Sequence, residues 1–458
     1  METTMTLRSE IEKGITELGM NFSSFGELSG INRGIFSAIL NGSPPKPISL
    51  NQMEAITRAF GYPEGWMFDL YIEECFYDGK PNRRRVEPFL IRCAELGKTD
   101  CIREVLSRLL EDLKHVSMIF DIAENLFTSG KVKESLVFYE CVVENEKYHH
   151  SERLAISHYR LFRASIGEDN EQDLRAALRF EPFCGKLPDH HHLDGLLHLT
   201  TVYYSLERWK IAEHYANELI NFSHTIYENE LHKKNQKHDP LLTERPLVKY
   251  YGQGYLARGA MLEAQGHYEE AKTFIEKYAD LSWFEGVDEE GLKEIEKFKL
   301  FAKANKFNIE ILMGNTEYLD EYIDFLENHP QEILLSFLTI LESANKYSLL
   351  IDHVIEKFLP YVKDEDKVSE IKENYYEQAT INQLFPIIFY ELSVYHAKVQ
   401  KLSIAIDYSL QAIQKSIKIR NKNIFMKCVP FFEEFRSFAS KEQQSAYEKL
   451  MKGMYQNA

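Results

Sequence analysis

The chain of 458 residues contains no run approaching the roughly 18 apolar residues of a membrane-spanning helix, and its N-terminus has no signal-peptide h-region. Cysteine is scarce: Cys75, Cys93, Cys101, Cys141, Cys184 and Cys428 are scattered without a C-x-x-C pair. That spacing argues against a disulfide framework and for reduced, buried thiols. The expectation is a cytoplasmic protein with no membrane partner. A Gly-rich phosphate loop, H-E-x-x-H and G-x-S-x-G are all missing, so neither an enzyme nor a cofactor is expected. Positive charge is short, with 54 Lys and Arg against 71 Asp and Glu and a net charge of −17. This excludes a generic nucleic-acid coat and confines any DNA contact to one small face. Sustained strand-like alternation is absent as well, which leaves helices. His190-His191-His192, with His198, invite a metal reading. Neighbours on a helix point about 100° apart, however, and Pro188-Asp189 reads as a helix start. The histidines are expected in an exposed first turn, with no metal.

Against this background the stretch Phe22 to Gly42, FSSFGELSGINRGIFSAILNG, stands out. It predicts a helix over 23–29, a turn at Gly30-Ile31 where glycine accepts a positive φ, and a second helix over 32–41 with Asn32 as its cap. Phe25 and Leu28 are expected to meet Ile31, Phe36 and Ile39 in a small core. Flanking helices are predicted over 6–18 (Leu7, Ile11, Ile15 and Leu18 inward), 50–60 (Met53, Ile56 and Phe60 inward, with a Ser49/Gln52 capping box) and 63–76 (Trp66, Leu70 and Tyr71 inward). The segment resembles an XRE/lambda-repressor helix-turn-helix domain of five helices. That resemblance implies a double-stranded DNA operator read by Asn32, Arg33, Ser37 and Asn41, with Lys46 on phosphate. Phe22 departs from the family, many of whose members place a phosphate-binding Gln there. Residues 1–62 carry five bases against six acids. A lone copy should therefore grip DNA weakly, and a homodimer on two half-sites is expected.

Beyond Phe76 a turn-prone link, Asp78-Gly79-Lys80-Pro81-Asn82, leads into helices that run to the end. Tyr255 to Tyr278, YLARGAMLEAQGHYEEAKTFIEKY, resembles a tetratricopeptide repeat. Tyr255 and Tyr268 take the aromatic places, Gly259 the close-packing glycine, Gly266 the turn and Ala271 the small contact. Weaker copies are anchored at Ile102, Ser135, Ala212, Leu319, Leu350 and Ala405, with an unmarked pair near 174–180. The expected fold is all-α: a helix-turn-helix domain (1–77), a right-handed tetratricopeptide-like α-solenoid of eight or nine helix pairs (78–422) and C-terminal capping or dimerisation helices (423–458). Residues 228–245 are a polar insertion. Phe425, Val429, Phe431, Phe432, Phe435 and Phe438 form a C-terminal aromatic set suited to a buried cap or a dimer surface.

The combination is similar to the RNPP regulators of Gram-positive bacteria and their phages, and within them to the arbitrium receptors. The resemblance implies a transcription regulator whose helical array takes a short signalling peptide on its concave face, altering operator binding by the homodimer. Peptide recognition needs polar side chains for backbone amides, charges for termini and aromatic walls. Repeat register then nominates Asp194, Thr201, Tyr204, Lys249, Gln253, Glu263, Asn308 and Tyr390. The competing expectations are a protein-docking adaptor and a response-regulator phosphatase-like protein.

Overall fold

The computed structural model describes residues 5–77, 79–147, 151–167, 170–233, 241–363 and 378–456. The centre of the polar insertion, 234–240, lies outside the described residues. Among those described, every regular element is helical except a two-residue antiparallel ladder, β1 (Phe76–Tyr77) on β2 (Lys80–Pro81). This ladder occupies the predicted link. Compactness divides the chain into two units, Met1–Ala164 and Ser165–Ala458.

The first unit opens with α1 (Leu7–Glu17), α2 (Phe22–Ser29), α3 (Arg33–Leu40) and α4 (Leu50–Ala59). Local chemistry explains the boundaries. Thr6 and Asn21 head α1 and α2 in reciprocal capping boxes with Ser9 and Ser24. Gly30 closes α2 at φ +71°, and Asn32 caps α3 by accepting from the Gly34 amide at 2.7 Å. Phe25, Phe36, Ile39, Met53 and Ile56 are buried. Three expectations fail here. Leu18 and Leu28 are 46% and 52% exposed, because each belongs to the last turn of its helix and points off the core. Phe60 is only partly buried, lying against Phe25 at 4.8 Å between ring centroids. The predicted helix over 63–76 is instead a turn, a short α5 (Phe68–Tyr71) and a 3-10 turn over Ile72–Cys75. Gly65 at φ +73° breaks it, so Trp66 faces outward and Met67, Phe68 and Tyr71 are buried in its place.

Four longer helices complete this unit: α6 (Arg83–Glu95), α7 (Thr99–Leu109), α8 (Val116–Thr128) and α9 (Val132–Asn145), followed by α10 (Glu152–Ser165) at the boundary. Phe89 of α6 lies 5.2 Å from both Phe68 and Tyr71, ring to ring. One continuous apolar core therefore runs from Leu7 to Val142 and joins the N-terminal helices to the first helix pairs.

The second unit is built from α11 (Asn170–Cys184), α12 (Asp189–Ser205), α13 (Trp209–Lys233), α14 (Leu247–Ala264), α15 (Tyr268–Tyr278), α16 (Glu289–Met313), α17 (Leu319–Asn328), α18 (Ile333–Tyr347), α19 (Asp352–Phe358), α20 (Pro360–Lys363), α21 (Gln378–Lys398), α22 (Leu402–Lys418), α23 (Lys422–Phe435) and α24 (Lys441–Gln456). Most consecutive helices pack on one another, as in a solenoid. The helices α12, α14, α16, α18 and α21 also pack on one another in series, whereas the second helices of the pairs make few such contacts. Closer packing along this row makes it the inner side of the array.

The repeat glycines sit as a helical array requires. Gly266 turns α14 into α15 at φ +78°, and Ala271 is buried. The tightest approach is at Gly252 and Gly254 rather than Gly259. A Cβ at Gly252 would stand 2.4 Å from the Phe298 ring, and one at Gly254 would stand 2.7 Å from Ile220. Leu350 is 76% exposed, and its expected anchoring place is taken by the buried Ile351. The array also doubles back on itself. Gln383 of α21 donates to Asn170 at 2.7 Å and accepts from Asn421 at 3.0 Å, while Lys422 pairs with Glu171 at 3.1 Å. Of the C-terminal aromatics only Phe432 is fully buried, stacked on Tyr447 at 4.0 Å, and Phe438 is 61% exposed.

Candidate functional site

Two surfaces gather the residues that the sequence nominates. The first is the outer face of α3. Phe36 and Ile39 anchor the helix inward, and spacing of four puts Arg33, Ser37 and Asn41 on one stripe with Asn32 at its head. All four are exposed, as is Lys46. The loop after α3 is held in place. The Lys46 amide donates to the Ala38 carbonyl at 2.8 Å, and Arg8 donates to the Ile39 carbonyl at 3.1 Å and the Lys46 carbonyl at 3.2 Å. Arg8 is paired in turn with buried Glu74, whose other oxygen accepts from the Ile48 amide at 2.9 Å. Gly42 is required for this closeness, because a Cβ there would lie 2.4 Å from the Ala38 carbonyl oxygen. The residue at 22 is not a polar contact: Phe22 lies on Phe36 with ring centroids 6.4 Å apart.

The second surface is the inner face of the second unit. Tyr204 of α12 keeps 37% of its surface open, with its ring edge-on to Trp209 at 5.6 Å. Burial, and after it the charges of Glu263, Glu342 and Glu207, push the pKa of its phenol above the usual tyrosine value. Glu263 of α14 is pushed up to about 8 by burial and by Glu342. Glu342 of α18 is pushed up to about 7 by burial and by Glu391, with Lys427 opposing. Glu391 of α21 is raised by burial, against its hydrogen bond from Asn345 and the charges of Lys427 and Lys398. Glu342 itself is exposed to solvent.

The other nominated residues divide. Thr201 is half-buried one turn before Tyr204 and donates to the Leu197 carbonyl at 3.0 Å. Lys249 is tied to Glu294 at 3.3 Å. Gln253 is half-buried on α14, and Tyr390 sits edge-on to Phe431 at 6.2 Å. Asp194 is fully buried, accepting from Arg245 and, at 3.2 Å, from the Tyr250 hydroxyl. Asn308 is buried and accepts from the Tyr322 hydroxyl. Both stand within the wall and not on its surface, because a short polar side chain among aromatics is needed to satisfy tyrosine hydroxyls. The triple histidine turn is likewise half-buried, with His192 against Phe222 at 4.4 Å.

Glu342, Asn345, Glu391 and Lys427 were not nominated from the sequence. A signal was present: Glu263, Glu342 and Glu391 are each the lone acid of a long helix.

No family model matches the chain, and no curated protein matches it. Among solved structures, a circular tandem repeat protein with novel repeat topology and enhanced subunit contact surfaces is similar over 97% of this chain and 90% of its own. Its identity is 11% and its TM-score 0.17, too low to carry an argument about fold or function.

Proposed function

We propose that the protein is a DNA-binding transcription regulator whose solenoid binds a short peptide on its inner face. The observation that carries the DNA reading is the α3 stripe: a helix anchored by Phe36 and Ile39 presents Arg33, Ser37 and Asn41 outward, beside a loop held by Arg8 and Glu74. In this reading α2 and α3 are a helix-turn-helix, α3 enters the major groove, and Lys46 holds phosphate. The near-neutral charge of residues 1–62 favours a homodimer on a two-fold operator, because phosphate neutralisation by one copy is small.

The peptide reading is supported by the inner row, where Tyr204 on α12 and Gln253 and Glu263 on α14 stand on two helices packed on each other. Right-handed tetratricopeptide-like stacking makes curvature the soft coordinate of such an array. A peptide bridging several repeats shifts operator affinity insofar as it prefers one curvature. The test is binding-site selection from random duplexes with the full chain, followed by titration of the winner against wild type and Arg33→Ala. Enrichment of a two-fold symmetric site that Arg33→Ala loses supports the reading. Enrichment of nothing overturns it.

A further inference from the structure

The loop that follows α3 takes its shape from groups supplied by other elements. Residues 41–49 form neither helix nor strand, and three of them, Pro44, Pro45 and Pro47, have no backbone N–H to donate. Lys46 shows how the loop is held. Its side chain is exposed, whereas both of its backbone groups are occupied. The amide donates to the Ala38 carbonyl at 2.8 Å, and the carbonyl accepts from Arg8 at 3.2 Å. Two residues on, Ile48 is fixed in the same way. Its amide donates to Glu74 Oε2 at 2.9 Å, and its carbonyl accepts from the Tyr71 hydroxyl at 3.1 Å.

These bonds converge on one ion pair. Glu74 is buried, with Oε1 on the Arg8 guanidinium and Oε2 on the Ile48 amide. Arg8 aims a different nitrogen at each target: Nη1 at Glu74, Nη2 at the Lys46 carbonyl and Nε at the Ile39 carbonyl at 3.1 Å. Each of its nitrogens has a protein acceptor, so Arg8 serves the loop and not a phosphate. A buried ion pair is a weak device for stability, since packed apolar residues of similar size commonly do as well. What it supplies is direction, through charge-assisted bonds that tie Ile39, Lys46 and Ile48 into one geometry. Glu74 is seated in turn by the helices that begin the array. Arg85 of α6 donates to its carbonyl at 3.0 Å. Arg108 of α7 pairs with neighbouring Glu73 at 2.8 Å and lies over the Phe76 ring at 5.4 Å.

We infer that Glu74 and Arg8 are positioning residues for DNA binding: they set the Lys46 ammonium against a backbone phosphate, and α6 completes the contact by seating Glu74. The inference rests on the DNA-binding reading and adds the source of its phosphate register. That register comes from the first helix of the array as well as from the helix-turn-helix. A lysine on an unheld loop would lose backbone freedom on meeting a phosphate. On this loop the backbone is ordered beforehand, and only the lysine side chain remains to be fixed.

The test is fluorescence anisotropy of the full chain on the selected duplex and on a random one, repeated between about 50 and 200 mM salt. Lys46→Ala should make the slope of log affinity against log salt shallower by about 0.9, the value of one phosphate. Glu74→Gln should do the same with the lysine still present, and should weaken both duplexes about tenfold. In the Lys46→Ala background it should weaken them no further. A merely structural role would remove the same fraction of active protein at every salt concentration, and its loss would add to that of Lys46→Ala. Arg85→Gln should move the slope in the same direction by less, and an unchanged slope there overturns the part given to α6. If Glu74→Gln fails to fold, Arg8→Gln, at a side chain 28% exposed, carries the same two expectations. An unchanged slope in the folded variant, or a loss that adds to that of Lys46→Ala, overturns the inference and leaves DNA binding standing. Wild-type protein that binds neither duplex overturns the DNA reading, and the inference with it.

Discussion

At the scale of single residues the two surfaces differ in how their side chains are held. The α3 stripe is exposed, so its side chains are free to meet a ligand, and their placement comes from what lies beneath. Arg33→Ala should cost about 1–3 kcal/mol on a selected DNA site and relax preference at one base pair, by loss of a bidentate contact. Lys46→Ala should weaken specific and random duplexes alike. Fluorescence anisotropy on both duplexes separates the two, and equal losses for Arg33→Ala would remove its base-reading role. Asn32 has a structural duty as the cap of α3. Asn32→Ala should lower the unfolding free energy by about 1 kcal/mol in urea titration, and an unchanged midpoint would show that the cap is not needed. Asp194 and Asn308 illustrate the limit of reading register from sequence. Both fall on inner helices, but partnership with Arg245, Tyr250 and Tyr322 draws them into the wall. Those partners lie 14 to 56 residues away, outside the reach of any local pattern.

At the scale of elements, short-range chemistry was the legible part. Gly30, Asn32, Ser49 and Gly266 mark real boundaries because each acts on backbone groups within a few residues. The stretch after Pro63 was not legible, since the apolar spacing reads as a helix and Gly65 overrules it. The close-packing glycine was placed at Gly259 by repeat register, yet contact with α13 and α16 falls to Gly254 and Gly252. At Gly254 the obstacle includes the Ile220 backbone nitrogen at 3.3 Å, which cannot swing aside. Gly254→Ala should therefore destabilise the second unit by about 1–3 kcal/mol through overpacking. Gly259→Ala, whose Cβ would meet its nearest neighbour at 3.5 Å, should be nearly neutral. Thermal unfolding of the two variants side by side checks the ranking, and a reversed order would contradict the packing described.

At the scale of the whole molecule, the acidic inner face has a consequence for stability. A carboxyl whose folded value lies above its unfolded one binds more protons when folded, so its contribution falls as pH rises through the folded value. For Glu263 and Glu342 that window runs from about pH 4.5 to about 8 and about 7 respectively. Half-buried His192 and buried His396, held below their usual range by desolvation, act in the opposite sense at lower pH. The difference between wild type and Glu263→Gln isolates the carboxyl. Glu263→Gln should gain urea resistance relative to wild type as pH rises from about 6.5 to 8, and a constant difference would show that the carboxyl is not strained. The central claim joins an exposed DNA-reading helix to a ligand-binding array in one chain. Its most direct measurement is anisotropy of the selected duplex titrated with the full chain, with and without hexapeptides retained from a random pool by affinity selection on the full chain. The account predicts tight, Arg33-dependent binding that a retained peptide shifts in wild type but not in Gln253→Ala. Binding that is indifferent to Arg33, or unmoved by any retained peptide, would contradict it.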